Sequence, residues 1–305
     1  MRATSCGFNS HLRHHRSLRF AQPQDHWPGM FAHLSFASVP DEDAATPGSD
    51  DIRSEAERLG QLILNERLPI RLIGGMAVWL RCPSARVPPY ARHYPDLDFV
   101  ASSRNRRAVT EFLQRAGYVP ERMFNAIHGR DRLNFAHPTG RWTVDVVFDE
   151  LRMSHKLDLR GRLNGPAPTV DLADLLLTKL QIWQINQKDL GDVICLLADH
   201  QLRINEAPRR PALPMIEDPE AIDVRRITSL CASDWGFCHT VERNLGLSRD
   251  VVGQRRPASA GFDPMEQISI LLAAIDDAPK TLGWRSRARI GERVRWYETP
   301  EEVRH

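Results

Sequence analysis

Leu72-Ile73-Gly74-Gly75-Met76, Pro95-Asp96-Leu97-Asp98-Phe99-Val100 and Thr143-Val144-Asp145-Val146-Val147-Phe148-Asp149 decide how this chain folds. Residues i and i+2 of a strand project to the same face, so Asp96 and Asp98 are expected side by side, with Leu97 and Phe99 turned toward a core. Val144, Val146 and Phe148 alternate with Asp145 in the same way; Asp149 shares Asp145's face, but Asp145 lies deeper in the pattern. With the two strands as neighbours, three carboxylates meet on one face, and hard oxygen donors clustered in this way suit Mg²⁺. Paired glycines between a strand and a helix let the backbone approach a polyphosphate, whose charge the helix N-terminus favours.

This combination resembles the nucleotidyltransferases of the DNA polymerase β superfamily. Their pattern is a hydrophobic residue with Gly-Gly or Gly-Ser at a helix start, an Asp-x-Asp or Asp-x-Glu on the next strand, and a third acid on a later strand. The resemblance implies a small mixed-sheet α/β (α+β) domain that moves a nucleoside monophosphate from a nucleoside triphosphate (NTP) with the help of two Mg²⁺ ions. Residue by residue, it implies that Gly74 and Gly75 hold the triphosphate, that Asp96 and Asp98 hold the metals, and that Asp145 is the third acid.

Asp174-Leu175-Leu176-Leu177-Thr178-Lys179-Leu180 and Asn186-Gln187-Lys188-Asp189-Leu190-Gly191-Asp192 are similar to the Lys and Lys-Asp-x-x-Asp helical segments of the AbiEii-like branch. That branch includes toxins of toxin-antitoxin and phage-defence systems, some of which add nucleotides to tRNA. A tRNA or protein acceptor and an antitoxin protein are the partners it implies. The likeness spans residues 52–203 by motif placement. Two departures stand out. Pro83, Pro88, Pro89 and Pro95 mark an insertion between cradle and metal strand, and Asn186 stands where an arginine is expected, while Arg92 is a candidate for the arginine that precedes the branch's Asp-x-Asp.

With 305 residues, 42% hydrophobic and 26% charged, the chain can bury a good core and support two domains. A net charge of +2 is too small to announce a nucleic-acid partner. Cys6, Cys82, Cys195, Cys231 and Cys238 are scattered without a Cys-x-x-Cys, which suits reduced thiols and a cytoplasmic protein better than a disulfide framework or a zinc site. No apolar run reaches the ~18 residues of a membrane helix, and the best, Ile268 to Ile275, is interrupted by Ser269. Arg2, Arg13, Arg16 and Arg19 precede the first acid, a transit-peptide-like bias without the apolar core of a secretory signal. A disordered tail, or a functional start at Met30, reads equally well.

Residues 1–51 are read as that tail. Ile52, Ala56, Leu59, Ile63 and Leu64 recur at helical spacing before a strand over Ile70 to Ile73. Arg106 to Ala116 reads as a helix, and Leu133 to Ala136 with Trp142 to Phe148 as strands around the turn at 138–141. Thr169 is expected to cap a helix over Asp171 to Ile185, followed by one over Lys188 to His200. Lys179, set among Leu175, Leu176, Leu177, Leu180 and Ile182, either snorkels or aims at an anion; the family context favours nucleotide phosphates. Asp189 and Asp192, three apart on one helix face, can orient Lys179, bind ribose or stay as surface acids.

The nucleotidyltransferase domain is placed at 52–203, a proline-rich linker at 204–220 and a helical C-terminal domain at 221–305. The last of these carries Trp284-Arg285-Ser286-Arg287-Ala288-Arg289 and Arg293-Val294-Arg295-Trp296-Tyr297, which suit either an RNA-binding surface or a solvated face with Trp284 and Trp296 packed inward.

Readings of different classes follow. In the first, an active enzyme, Asp96, Asp98, Asp145 and Lys179 are catalytic, and Gly74, Gly75, Lys179, Lys188 and Asp192 bind the nucleotide. In the second, the same fold is a non-catalytic module that holds nucleotide, RNA or a partner protein. A small-molecule nucleotidyltransferase, such as an antibiotic-modifying one, is a third reading, with its acceptor site shaped by Arg81 to Pro95 and the C-terminal region. His155 is left as a base or a structural hydrogen-bonding group.

Overall fold

In the computed structural model, which describes residues 47–204, 220–258 and 260–299, five strands form one mixed sheet. They are β1 (Ile70–Ile73), β2 (Asp96–Ala101), β3 (Val119–Pro120), β4 (Arg132–Ala136) and β5 (Thr143–Phe148), in the order β1-β2-β5-β4-β3. Strand β2 runs parallel to β5 and antiparallel to β1, while β4 runs antiparallel to β5 and β3. The alternation read from the sequence is the alternation found: Leu97, Phe99, Val144, Val146 and Phe148 are buried. Strand β6 (Glu150–Arg152) and β7 (Lys156–Asp158) make a separate hairpin, and β8 (Leu202–Arg203) and β9 (Ile222–Asp223) a two-residue parallel pair.

Ten helices are described: α1 (Pro47–Asn65), α2 (Gly74–Arg81), α3 (Arg106–Arg115), α4 (Arg122–His128), α5 (Leu172–Leu180), α6 (Gln187–Asp199), α7 (Val224–Ser233), α8 (Trp235–Gln254), α9 (Pro264–Asp277) and α10 (Leu282–Ile290). Helix α1 begins inside the stretch read as a tail; the rest of that stretch, 1–46, and most of the expected linker lie outside the described residues. All described residues belong to one compact unit. One hydrophobic core runs from Ile52 of α1 through the sheet and α5 to Ile275 of α9, so α7 to α9 pack against α5 and α6 over a shared interior.

Helix α5 differs from its expected limits at both ends. Thr169 is spent on a bridge to Leu72, and the cap is Asp171, whose side chain accepts from Asp174 N. The helix stops at Leu180, where the Asn244 side chain of α8 takes the carbonyls of Leu180 and Ile182. Asn186, a departure from the pattern the sequence resembles, caps α6 by accepting from Asp189 N. All nine residues of α5 are buried.

Burying Asp174 on α5 requires paired cations. Its carboxylate accepts from Arg162 and from Arg226 Nε of α7 at 2.8 Å, while burial and the neighbouring Asp171 push its pKa up to about 6. Asp174→Ala takes this carboxylate from both guanidiniums, leaving Arg162 with Asp171 and Arg226 with the Asp158 carbonyl, and urea unfolding is expected to report a loss of about 1–3 kcal/mol.

Candidate active site

The parallel register of β2 and β5 sets Asp98 directly opposite Asp145, and the antiparallel register of β1 sets Ile73 opposite Asp98. The end of β1, where the glycine pair begins, therefore abuts the carboxylates. Gly74 has φ +74, a conformation that side chains strain to adopt, and a Cβ at that position would fall on the Asp98 carboxylate. No side chain caps α2, which starts at Gly74, so its first-turn amides remain available to an anion. Gly75 has a different task. A Cβ there would lie 2.5 Å from Arg92 Nη2 and 3.1 Å from Tyr94, so the second glycine makes room for an arginine of the proline-rich insertion.

That arginine joins a buried ionic network. Arg92 Nη2 donates to both oxygens of Asp192 (3.0 and 2.8 Å), and Lys179 Nζ pairs with Asp189 at 2.7 Å and Asp192 at 3.0 Å. Burial lowers the lysine's pKa, but Asp192 and Asp189 more than reverse this and the net shift is upward, so Lys179 is charged at every working pH. Of the alternatives for Asp189 and Asp192, orienting Lys179 is the one the structure displays. Asp192 is 3% exposed and doubly engaged, and it does not line the cleft.

A cleft of about 1610 Å³ opens over these groups, with Gly74, Asp98, Asp145, Thr178, Lys179 and Asp189 among its lining. Asp96 is half-buried and Lys188 exposed, and neither lines it. Asp145 Oδ1 is held by Arg132 Nε at 2.9 Å and Asn134 Nδ2 at 3.1 Å, both from β4. Asp98 accepts no side-chain hydrogen bond from a described residue. Burial, then the charges of Asp96 and Asp145, push its pKa up to about 7. Asp149, with φ 63, faces the same cleft but caps Ser103 N at 3.0 Å. His155 lies outside it, bonded through Nε2 to Thr240 Oγ1 at 2.8 Å, the structural one of its two expected roles.

The donor chemistry fits a hard divalent cation: an ionisable carboxylate without a protein partner sits in register with a second and two residues from a third. Among the described residues, however, no three His, Cys, Asp or Glu side chains converge closely enough to hold a metal. The hold of Arg132 and Asn134 on Asp145 is one structural reason, and sequence reasoning missed both residues. Their signal was available, because Arg132 and Asn134 alternate with Leu133 and Phe135 on a strand beside Asp145. The sequence marks Arg295 and Tyr297 as part of an arginine–aromatic run, and the structure places them, with Glu298 and Thr299, in the lining of the cleft.

No protein-family model matches the chain, nor does any curated protein. Among solved structures it is similar to a lincosamide antibiotic adenylyltransferase, LnuA, with lincomycin bound: 15% identity over 47% of this chain and 94% of that one, TM-score 0.34. It is also similar to an antigenic nucleotidyltransferase-like protein from Paracoccidioides brasiliensis (14%, 76% and 95%, TM-score 0.35). A third similar structure is JHP933 from Helicobacter pylori (11%, 80% and 97%, TM-score 0.29). Identities and scores of this size leave the activity to be argued from the site itself.

The raised pKa of Asp98 has a sign that can be measured. Between the ordinary carboxyl value near ~4 and about 7 the folded chain holds a proton that the unfolded chain has released, so stability falls as pH rises through that window. The melting temperature of the metal-free protein is expected to drop from pH 5 to pH 8, and Asp98→Asn to flatten that slope and melt higher at pH 8.

Proposed function

We propose that the cleft is the active site of a Mg²⁺-dependent nucleotidyltransferase that moves a nucleoside monophosphate from an NTP to an acceptor hydroxyl. The observation that carries this reading is the Asp98–Asp145 pairing in register, with Gly74 pressed against Asp98 and Lys179 lining the same cleft. Asp98, without a side-chain hydrogen-bond partner among the described residues, would be the first ligand of the cation; Asp145 and Asp96, its neighbours in register and sequence, would have to close further on it to complete the hold. When bound, the cation lowers the pKa of an attacking hydroxyl and neutralises charge on the phosphates. The amides at the start of α2 and the Lys179 ammonium bind the triphosphate and steady the negative charge that builds on it. Asp189 and Asp192 aim Lys179, and Arg92 balances the second carboxylate, so the network does not carry an excess of negative charge.

The cleft exceeds the ~300–1,000 Å³ typical of a single small-ligand site, which leaves room for an acceptor beside the donor. Arg104 and Arg130 line it as exposed cations whose side chains bond to no described residue. Arg106 adds a buried Nε without a partner. With Arg152 and Arg160 these arginines outnumber the acids Asp131, Asp149 and Glu150 that line the cleft beside them, a balance that suits a polyanionic acceptor such as tRNA. A second reading, a non-catalytic nucleotide- or RNA-binding module, draws on the capture of Asp145 by Arg132 and Asn134.

Incorporation of label from each α-labelled NTP into total RNA and into protein, with Mg²⁺, separates the two. The enzyme reading expects labelling that falls about 10²–10³-fold in Asp98→Asn, and a melting temperature that Mg²⁺ raises in the parent and not in the variant. NTP binding without turnover in a folded parent would leave the module.

A further inference from the structure

The wall of the cleft next to Lys179 is completed by a segment more than a hundred residues away in sequence. Residues 294–299 follow the short turn at Gly291–Arg293 without regular secondary structure. Arg295, Tyr297, Glu298 and Thr299 line the cleft. Ile182, which also lines it, carries the surface from Lys179 toward this strap, and the adjoining Trp183 is where the strap docks.

Trp296 is the anchor. Its ring meets Trp183 nearly edge-on at 4.7 Å between centroids, His239 at 5.2 Å and Trp235 at 5.8 Å. Gly236 is its seat, since a Cβ there would lie 3.0 Å from the Trp296 carbonyl oxygen and 3.1 Å from its Cβ. Tyr297 stacks on Trp183 at 5.1 Å with 22° between planes, and the Arg295 guanidinium lies 4.8 Å over the Tyr297 ring. Glu298 N donates to Ser154 O at 2.8 Å, which ties the strap to the turn between β6 and β7. A segment fixed by this many rings presents its cleft-facing side chains in a set geometry, the condition for recognition at low entropic cost.

Two of those side chains keep hydrogen-bonding capacity. Arg295 spends Nε on the Tyr297 carbonyl (3.0 Å) and Nη2 on Thr299 Oγ1 (2.9 Å), while Nη1 bonds to no described residue. The Glu298 carboxylate accepts from no described residue either. The guanidinium only donates and the carboxylate only accepts, so together they discriminate between planar heterocycles by the pattern of donors and acceptors along the edge. The strap lines the same cleft as Gly74 and Lys179, the groups assigned to the triphosphate.

We propose that Arg295 and Glu298 read the nucleobase edge of the donor NTP and thereby decide which triphosphate is used, Glu298 selecting an edge that offers N–H donors. The inference rests on the donor-site reading above and adds its specificity. Equilibrium binding of ATP, GTP, CTP, UTP and inorganic tripolyphosphate, each with Mg²⁺, to the full chain and to Glu298→Gln tests it. The parent is expected to separate the four NTPs by roughly tenfold or more, and Glu298→Gln to reorder or compress that ranking while binding tripolyphosphate as the parent does. Arg295→Lys, which keeps the charge and loses the planar fork, is the independent second variant and should shift the ranking too. Equal affinities for the four NTPs in the parent, or one unchanged ranking in both variants, would overturn the proposal and leave the donor site standing. If the parent binds neither tripolyphosphate nor any NTP, the donor-site reading fails and the strap's role fails with it.

Discussion

The parallel pairing of β2 with β5 is the constraint on which the site depends. It fixes Asp98 opposite Asp145, and the apolar faces of the two strands lock that register by burying Leu97, Phe99, Val144 and Val146. Because side chains alternate with period two, a slip of one residue would carry every carboxylate to the core face and every apolar residue to the cleft. Hydrophobic burial thus sets the position of charges that are themselves unfavourable to gather. The cost of gathering them is visible at Asp98, where burial and two neighbouring acids favour the protonated form.

Around that centre the chain distributes charge in an ordered way. Asp145 is neutralised from β4 by Arg132, and Lys179 is enclosed by Asp189 and Asp192, the latter balanced by Arg92. Asp98, in contrast, accepts no side-chain hydrogen bond from a described residue. Buried networks of this kind hold side chains in one geometry when every member is satisfied. The proline-rich stretch between α2 and β2 enters the same logic through Arg92, whose approach the small Gly75 permits.

Four of the five strands were legible as short apolar or alternating runs, and alternation put Asp96 and Asp98 on one face; the strand order, the register and the two-residue β3 rest on pairings between distant segments that no local pattern encodes. The ends of α5 were less so. Thr169 and Asp171 are both good caps, and the choice between them is made by the bridge from Thr169 to Leu72, a contact nearly a hundred residues long that no local pattern encodes. Lys179 was legible as an unusual cation in an apolar helix, and its partners as acids on one helix face. Gly75, Lys188 and Asp192 were assigned to the nucleotide by motif; in the structure Gly75 makes room for Arg92, Lys188 is exposed and not part of the cleft lining, and Asp192 supports Lys179. Motif position says which residues lie near a site, and only packing separates those that face it from those behind it.

The two margins of the sheet deserve a final physical reading. On one side β1 continues into main-chain contact with the segment ahead of α5: Leu72 N donates to Pro168 O and Val170 N to Leu72 O. On the other, β3 is two residues long and ends in Pro120, which has no N–H to offer. Neither margin presents an open ladder of donors and acceptors. Among the described residues, strand-to-strand accretion on the five-stranded sheet is therefore disfavoured at both margins.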